Sequence, residues 1–297
     1  MKKLLALLCL LVCASAFAAA PAIVQQNWVT SGTTGNNTVP SLSGVSSSDV
    51  LVAVVAFINS NGNNGVTVPA PTDSSGDTWG AAIASQASVG SPYPVGIEAF
   101  LLASPTAGTH TVTFATNATG GGSYSFAGLI EISGYTATDK ALSTNVSSNS
   151  ISISSGTLTS GSELAIAVMA VDSTIGTNAN NGITDPPTGW TSLVAYQDSV
   201  TNIVAGEGAS LVPSGTTSIT PSWTWTSGKA SAAAILLTLE GSGGGSSCTH
   251  DGITSAGALA IPDGTTGSYW STTGNFVIPN CSSVAYWQPA LGNSGVN

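Results

Sequence analysis

Two histidines are the only imidazoles in this 297-residue chain, so any general acid–base or imidazole-metal chemistry must pass through one of them. His250 stands beside Asp251, with Ser246 and Ser247 just upstream. Adjacent side chains on an extended backbone point to opposite faces, so these neighbours do not make a Ser-His-Asp triad by themselves, and no third metal ligand stands near them. His110 opens the alternating run "GTHTVTF". Neither a GxSxG elbow nor an HExxH helix motif is present. Glycoside hydrolysis needs two facing carboxylates, and among fourteen acids the strand-borne Glu98 and Glu131 are the better candidates, with Glu131 of "LIEIS" partly buried. Nothing in the sequence pairs either with a partner. Asp49, Asp73, Asp185 and Glu163 sit in turns, where an acid caps backbone N–H groups and a structural role suffices. "TDSSGDTW" offers Asp73 and Asp77 around a glycine as a calcium loop, without EF-hand spacing, and reads equally as a plain turn. Calcium is the one ion the pattern offers; no motif for an organic cofactor is present.

Aromatic side chains give a second kind of chemistry, stacking. Trp223 and Trp225 in "PSWTWTSG" alternate and therefore share a face. Exposed, they form a platform for sugar rings; buried, they plug one end of a sandwich. Tyr269, Trp270, Tyr286 and Trp287 crowd into the last 50 residues. A segment that small buries few aromatics fully, so part of this set faces a partner. Cys248 and Cys281 are the only cysteines outside the first twenty residues. A bond between them closes a loop of about 34 residues and adds about 3–4 kcal/mol in the chain-entropy picture.

Composition narrows the partners. Lys2 and Lys3, the apolar run "LLALLCLLVC" and the small-x-small "AFA" predict a Sec-type signal peptide over residues 1–18, and hence export to an oxidising compartment. Its removal leaves two lysines, no arginine and fourteen carboxylates, a net charge near −12. Such a chain repels nucleic acid and anionic membranes. No later stretch reads as a membrane-spanning helix. Neutral glycans, protein surfaces and further copies of the chain remain as partners.

The elements that must position these residues are strands. Short β-branched or alternating runs recur, separated by Gly, Asn, Ser and Pro, and predict about ten strands in an antiparallel β-sandwich. "DVLVAVVAFI" and "AAAILLTL" are nearly continuous apolar runs, the mark of central strands buried on both faces. The chain also echoes itself at an offset near 110 residues. "SSSDVLVAVVAF" answers "SGSELAIAVMAV", "TDSSGDTWGAAIA" answers "TDPPTGWTSLVA", "LLASPTAGTHTVTF" answers "SLVPSGTTSITPSW", and "FAGLIEISG" answers "AAAILLTLEG". Within this echo His110 matches Ser218, which predicts a solvent-facing strand position. Two halves of about four strands, 22–134 and 135–240, read either as tandem domains or as one sandwich of jelly-roll type. A single four-stranded sheet needs a cover for its apolar face, which favours the one sandwich. "GSGGGSS" (241–247) reads as a linker, and 248–297 as a small disulfide-closed module.

The acid before "LVAVV", the "TDSSGDTW" turn and the closing "AGLIEISG" strand resemble the pattern of secreted and phage-associated bacterial β-sandwich modules of unknown function. The resemblance covers roughly Ile23–Gly241. It implies an all-β fold and an exported location, and no catalytic residue. The function expected is that of an exported, non-catalytic structural or adhesive component of a cell-surface, extracellular or virion assembly. The alternatives are a carbohydrate-binding protein and, after it, a polysaccharide-degrading enzyme.

Overall fold

The computed structural model describes residues 20–31, 39–58, 68–88, 95–114, 125–172, 183, 188–197, 204–225 and 231–241. All belong to the first of two units into which the chain divides, Met1–Gly244 and Gly245–Asn297. The leader, Cys248, Cys281, His250, Asp251, Tyr269, Trp270, Tyr286 and Trp287 lie outside the described residues.

The fold is all-β and antiparallel, with no helix among the described residues. Its strands are β1 (Ala22–Ser31), β2 (Ser41–Val45), β3 (Val50–Ile58), β4 (Thr72–Asp73), β5 (Ala84–Ala87), β6 (Val95–Leu102), β7 (Gly108–Thr113), β8 (Ser125–Ser133), β9 (Tyr135–Val146), β10 (Ser150–Ser152), β11 (Glu163–Asp172), β12 (Thr191–Gln197), β13 (Val204–Leu211), β14 (Ser222–Thr224) and β15 (Ala232–Gly241). Two five-stranded sheets dominate, in the orders β1-β8-β3-β6-β5 and β12-β13-β11-β15-β9. A three-stranded sheet, β2-β7-β4, accompanies the first, and a two-stranded one, β10-β14, the second. The pairings nest. In the first half β1 pairs with β8, β2 with β7 and β3 with β6; in the second β9 pairs with β15, β10 with β14 and β11 with β13.

The echo between the halves is therefore real in space, but among the described residues the halves hold eight and seven strands in place of about four. Of the strands beyond the predicted runs, β2, β4 and β5 span two to five residues, a length that leaves no measurable period, while β9 and β13, of 12 and 8 residues, are polar or interrupted by glycine.

The nearly continuous apolar runs follow from packing on both faces. Along β3, Val50, Val52, Val54 and Ala56 enter one core, while Leu51, Ala53, Val55 and Phe57 enter another. β11 repeats the division, with Leu164, Ile166, Val168 and Ala170 on one face and Ala165, Ala167, Met169 and Val171 on the other. The first set from each strand meets in a seam shared by the two large sheets. The second sets pack outward, beneath the small sheets. Antiparallel sheets commonly keep one face wet; here the central strands have none.

Magnitudes show what joins the halves. Among the described residues, the side-chain hydrogen bonds that cross between them include Ser143 to Gln86 at 3.2 Å, Asn145 to the Ala87 carbonyl at 2.8 Å, and Ser231 to Ser88. Each contributes about 1 kcal/mol. Each buried Val, Leu, Ile or Phe contributes about 1.5–3 kcal/mol, and the seam buries 19 hydrophobic residues. Apolar burial wins several-fold.

Glycines key the seam. β13 places Gly206 and Gly208 on the face opposite Glu207. A Cβ on Gly206 would overlap the ring of Phe126 and stand 2.8 Å from the Met169 carbonyl oxygen, and one on Gly208 would stand 3.0 Å from Val194. In the first half, Trp28 lies where a Cβ on Gly128 would be, and its ring is tilted 40° to Phe126 with centroids 6.3 Å apart. We expect Gly206→Ala to lower stability by about 1–3 kcal/mol through overpacking, measured by urea unfolding. Gly80→Ala, where a Cβ meets nothing within 4 Å, serves as the control and should change stability by less than about 0.5 kcal/mol.

Candidate functional site

The described residues bring one group of potential metal-ligating side chains together: Asp73, Asp77 and His110. Two elements position them. β7 supplies the histidine. Its alternation sends His110 and Val112 inward and leaves Thr109 exposed, and His110 is fully buried opposite Leu42 of β2. β4 and the turn after it supply the acids. β4 pairs Thr72 with Thr113 and Asp73 with Val112. The turn is then zipped onto β7, as Ser74 N–H donates to the Thr111 carbonyl (3.0 Å) and Thr111 N–H to Ser74 Oγ (2.9 Å). Gly76, at φ +84°, takes the left-handed position that reverses the chain.

This overturns the solvent-facing placement of His110. Aligned without gaps, Phe114 matches Trp223, both buried, and His110 matches Ile219, which packs against the second-half core. Ser218 is one residue out of step, and in a strand one residue exchanges faces. The inward row His110, Val112, Phe114 was readable in "HTVTF" itself.

Every polar atom of the cluster has a partner. Asp73 Oδ1 accepts from Ser75 N–H at 3.0 Å, and its Oδ2 accepts from Trp79 Nε1–H at 3.2 Å and faces His110 Nδ1 at 2.8 Å. Asp77 Oδ2 accepts from Thr106 N–H and Oδ1 from the Thr106 hydroxyl, both at 2.7 Å, and Oδ2 stands 3.9 Å from His110 Nδ1. His110 Nε2 faces the Thr106 carbonyl oxygen at 2.6 Å. That oxygen only accepts, so Nε2 carries a proton. Nδ1 faces the carboxylates of Asp73 and Asp77, which favour the protonated ring. Burial opposes this charge, but the hydrogen bond to Asp73, the Thr106 carbonyl and the charges of both aspartates outweigh it, and the pKa lies above the ordinary histidine value. The Thr106 backbone bond leads in holding Asp77 below the usual carboxylate range, against the effect of burial.

The geometry is not that of a nucleophilic triad. Ser75 Oγ lies 3.3 Å from His110 Nδ1, the same nitrogen that Asp73 occupies. A triad needs the acid on one nitrogen and the nucleophile on the other.

The other strand-borne acids also hold loops. Glu131, 1% exposed, accepts from Ser46 N–H at 2.7 Å and from Gln25 Nε2–H at 2.6 Å. Burial, then the charge of Glu131 and a hydrogen bond to it, raise the pKa of Asp49. Glu98, 2% exposed, accepts from Val68 N–H and Ser85 Oγ–H, both at 3.2 Å. Glu163 accepts from Ser160 N–H at 2.9 Å. Ser160 is the counterpart of Ser46, so the two halves hold the same turn amide with an acid from different positions, a substitution that a linear echo conceals.

Trp223 and Trp225 are 0% and 4% exposed and sit in the core beneath the second large sheet. They are therefore no sugar platform: the alternation was read correctly, but the shared face points inward, where Trp223 pairs with Ile151 on β10. Trp79 is buried in the first-half core, and Trp190 packs against the second. Comparison with family models, with curated proteins and with solved structures found no match.

Two outcomes follow. His110→Ala leaves Asp73 and the Thr106 carbonyl without their buried donor and should cost about 3 kcal/mol in urea unfolding. Glu98 gives a pH signature. Burial raises its pKa, although the Val68 and Ser85 bonds oppose the shift. Its contribution is therefore full below the unfolded carboxylate value and declines as pH rises through the folded one. Glu98→Gln should lose less stability than the parent chain between pH 5 and pH 8, measured by urea midpoints at both values.

Proposed function

We propose that this chain is an exported, non-catalytic structural or adhesive protein, working as part of a cell-surface, extracellular or virion assembly. The observation that carries the reading is where the ionisable groups point. His110, Glu98, Glu131 and Glu163 are all buried, and each holds a loop amide, a loop carbonyl or a turn acid. A catalyst needs such groups at a surface that a substrate reaches. An assembly subunit needs rigid loops on a sealed frame, and acids used as loop anchors supply that.

Finer features belong to the same proposal. Each half is a jelly roll, supported by the nested pairing of β1 with β8, β2 with β7 and β3 with β6, repeated in the second half. Cys248 and Cys281 form a disulfide after export. Tyr269, Trp270, Tyr286 and Trp287 present the contact surface for a neutral glycan or a protein, including a second copy of the chain. The low content of charged residues, 6%, suits such uncharged partners.

Fractionation of the native source, followed by sedimentation velocity of the purified chain, tests the proposal. We expect recovery in a cell-surface, filament or particle fraction, and concentration-dependent self-association that weakens on Trp270→Ala or Trp287→Ala. Recovery only as a free monomer at all concentrations, or turnover of any polysaccharide in a substrate panel, would contradict it.

A further inference from the structure

We infer that Asp73, Asp77 and His110 form a binding site for one divalent cation of the zinc type, held at His110 Nδ1. Distances come first. The three ligand atoms lie within 4.8 Å of one another. Nδ1 stands 2.8 Å from Asp73 Oδ2 and 3.9 Å from Asp77 Oδ2. Ligands about 2.0–2.2 Å from a tetrahedral zinc stand about 3.4 Å apart, and the two separations bracket that value. Ser75 Oγ, 3.3 Å from Nδ1, or a water completes four-coordination.

The outer shell is already built. A metal-bound imidazole characteristically donates its other N–H to a backbone carbonyl or carboxylate, and ligating carboxylates are themselves hydrogen-bonded. His110 Nε2–H meets the Thr106 carbonyl at 2.6 Å, Asp73 Oδ1 accepts from Ser75 N–H at 3.0 Å, and Asp77 Oδ1 accepts from the Thr106 hydroxyl at 2.7 Å. In each ligand the atom turned away from the centre is held, and the centre-facing Asp73 Oδ2 and Asp77 Oδ2 are steadied as well, by Trp79 Nε1–H at 3.2 Å and Thr106 N–H at 2.7 Å. The Nε2–H bond fixes the tautomer that leaves Nδ1 for a metal.

Charge points the same way. Two carboxylates face one fully buried imidazole ring. A divalent cation with neutral imidazole balances the carboxylates. An imidazole nitrogen in a three-ligand set selects zinc, cobalt or nickel over calcium, which takes six to eight oxygens. Asp77, whose side chain is 16% exposed against 0% for Asp73 and His110, is the point of entry. A bound ion clips the turn after β4 to β7 and to the segment at Thr106.

The test uses the full chain, stripped with EDTA and dialysed. Zinc titration by calorimetry should show one equivalent bound. The melting temperature should rise by several degrees and return on EDTA addition, and cobalt should give the visible absorption of a tetrahedral site. Calcium should do none of this. Asp77→Asn, which retains an acceptor for Thr106, should melt near the parent without metal and bind zinc at least ten-fold more weakly. His110→Gln should lose the cobalt spectrum. His250→Ala should bind zinc as the parent does. The inference is overturned if zinc neither binds nor shifts melting, if Asp77→Asn binds as the parent does, or if His250→Ala abolishes binding.

Discussion

The seam between the two five-stranded sheets is the constraint on which the rest of this structure depends. A sheet with one apolar face needs a single cover; these two have apolar residues at successive positions of their central strands and need two covers each. The large sheets cover one another, and the small sheets β2-β7-β4 and β10-β14 cover the outer faces. Val50–Phe57 and Leu164–Val171 can then be apolar without interruption, since no side chain on them meets water. The close approach of the sheets also explains why β13 carries glycines at 206 and 208, under aromatic rings of the other half.

A frame without a wet face on its central strands leaves little room for ionisable groups, and several of those it keeps reach from a strand to a loop. An acid buried there must be paired or hydrogen-bonded, and the donors within reach are the N–H groups of turns that no ladder satisfies. Glu131 takes Ser46, Glu98 takes Val68, Glu163 takes Ser160, Asp77 takes Thr106 and Asp139 takes Thr159. The same logic, with a histidine added to two aspartates, produces the cluster on β7. Acids that a composition table offers as catalytic candidates are thus accounted for by the loops they hold.

Class and symmetry were legible in the residues because both leave a long-range trace: alternation marks strands, and "SSSDVLVAVVAF" against "SGSELAIAVMAV" marks the repeat. Two things were hidden. Strands of two to five residues have no period to detect, so β2, β4 and β5 escaped, as did the polar β9 and the glycine-interrupted β13. Facing direction was lost wherever it rested on a match between halves that slipped by one position, as at His110 and Ser218. The pairing of Asp73 with His110 spans 37 residues and the hydrogen bond from Ser46 N–H to Glu131 spans 85, and neither leaves a local signature. The face shared by Trp223 and Trp225 was visible, whereas its direction depended on where β10 lies. Tyr269, Trp270, Tyr286 and Trp287 remain a reading from composition alone.

If the shared seam holds the halves together, they must lose structure together. Native-state hydrogen exchange of the full chain, read by mass spectrometry on peptides covering β3 and β11, measures this directly. The account predicts equal opening free energies for the two strands, and an equal decrease in both when Gly206→Ala is introduced into the second half alone. Opening of β11 well below β3, or a Gly206→Ala effect confined to the second half, would mean that each half stands on its own core and that the seam is incidental.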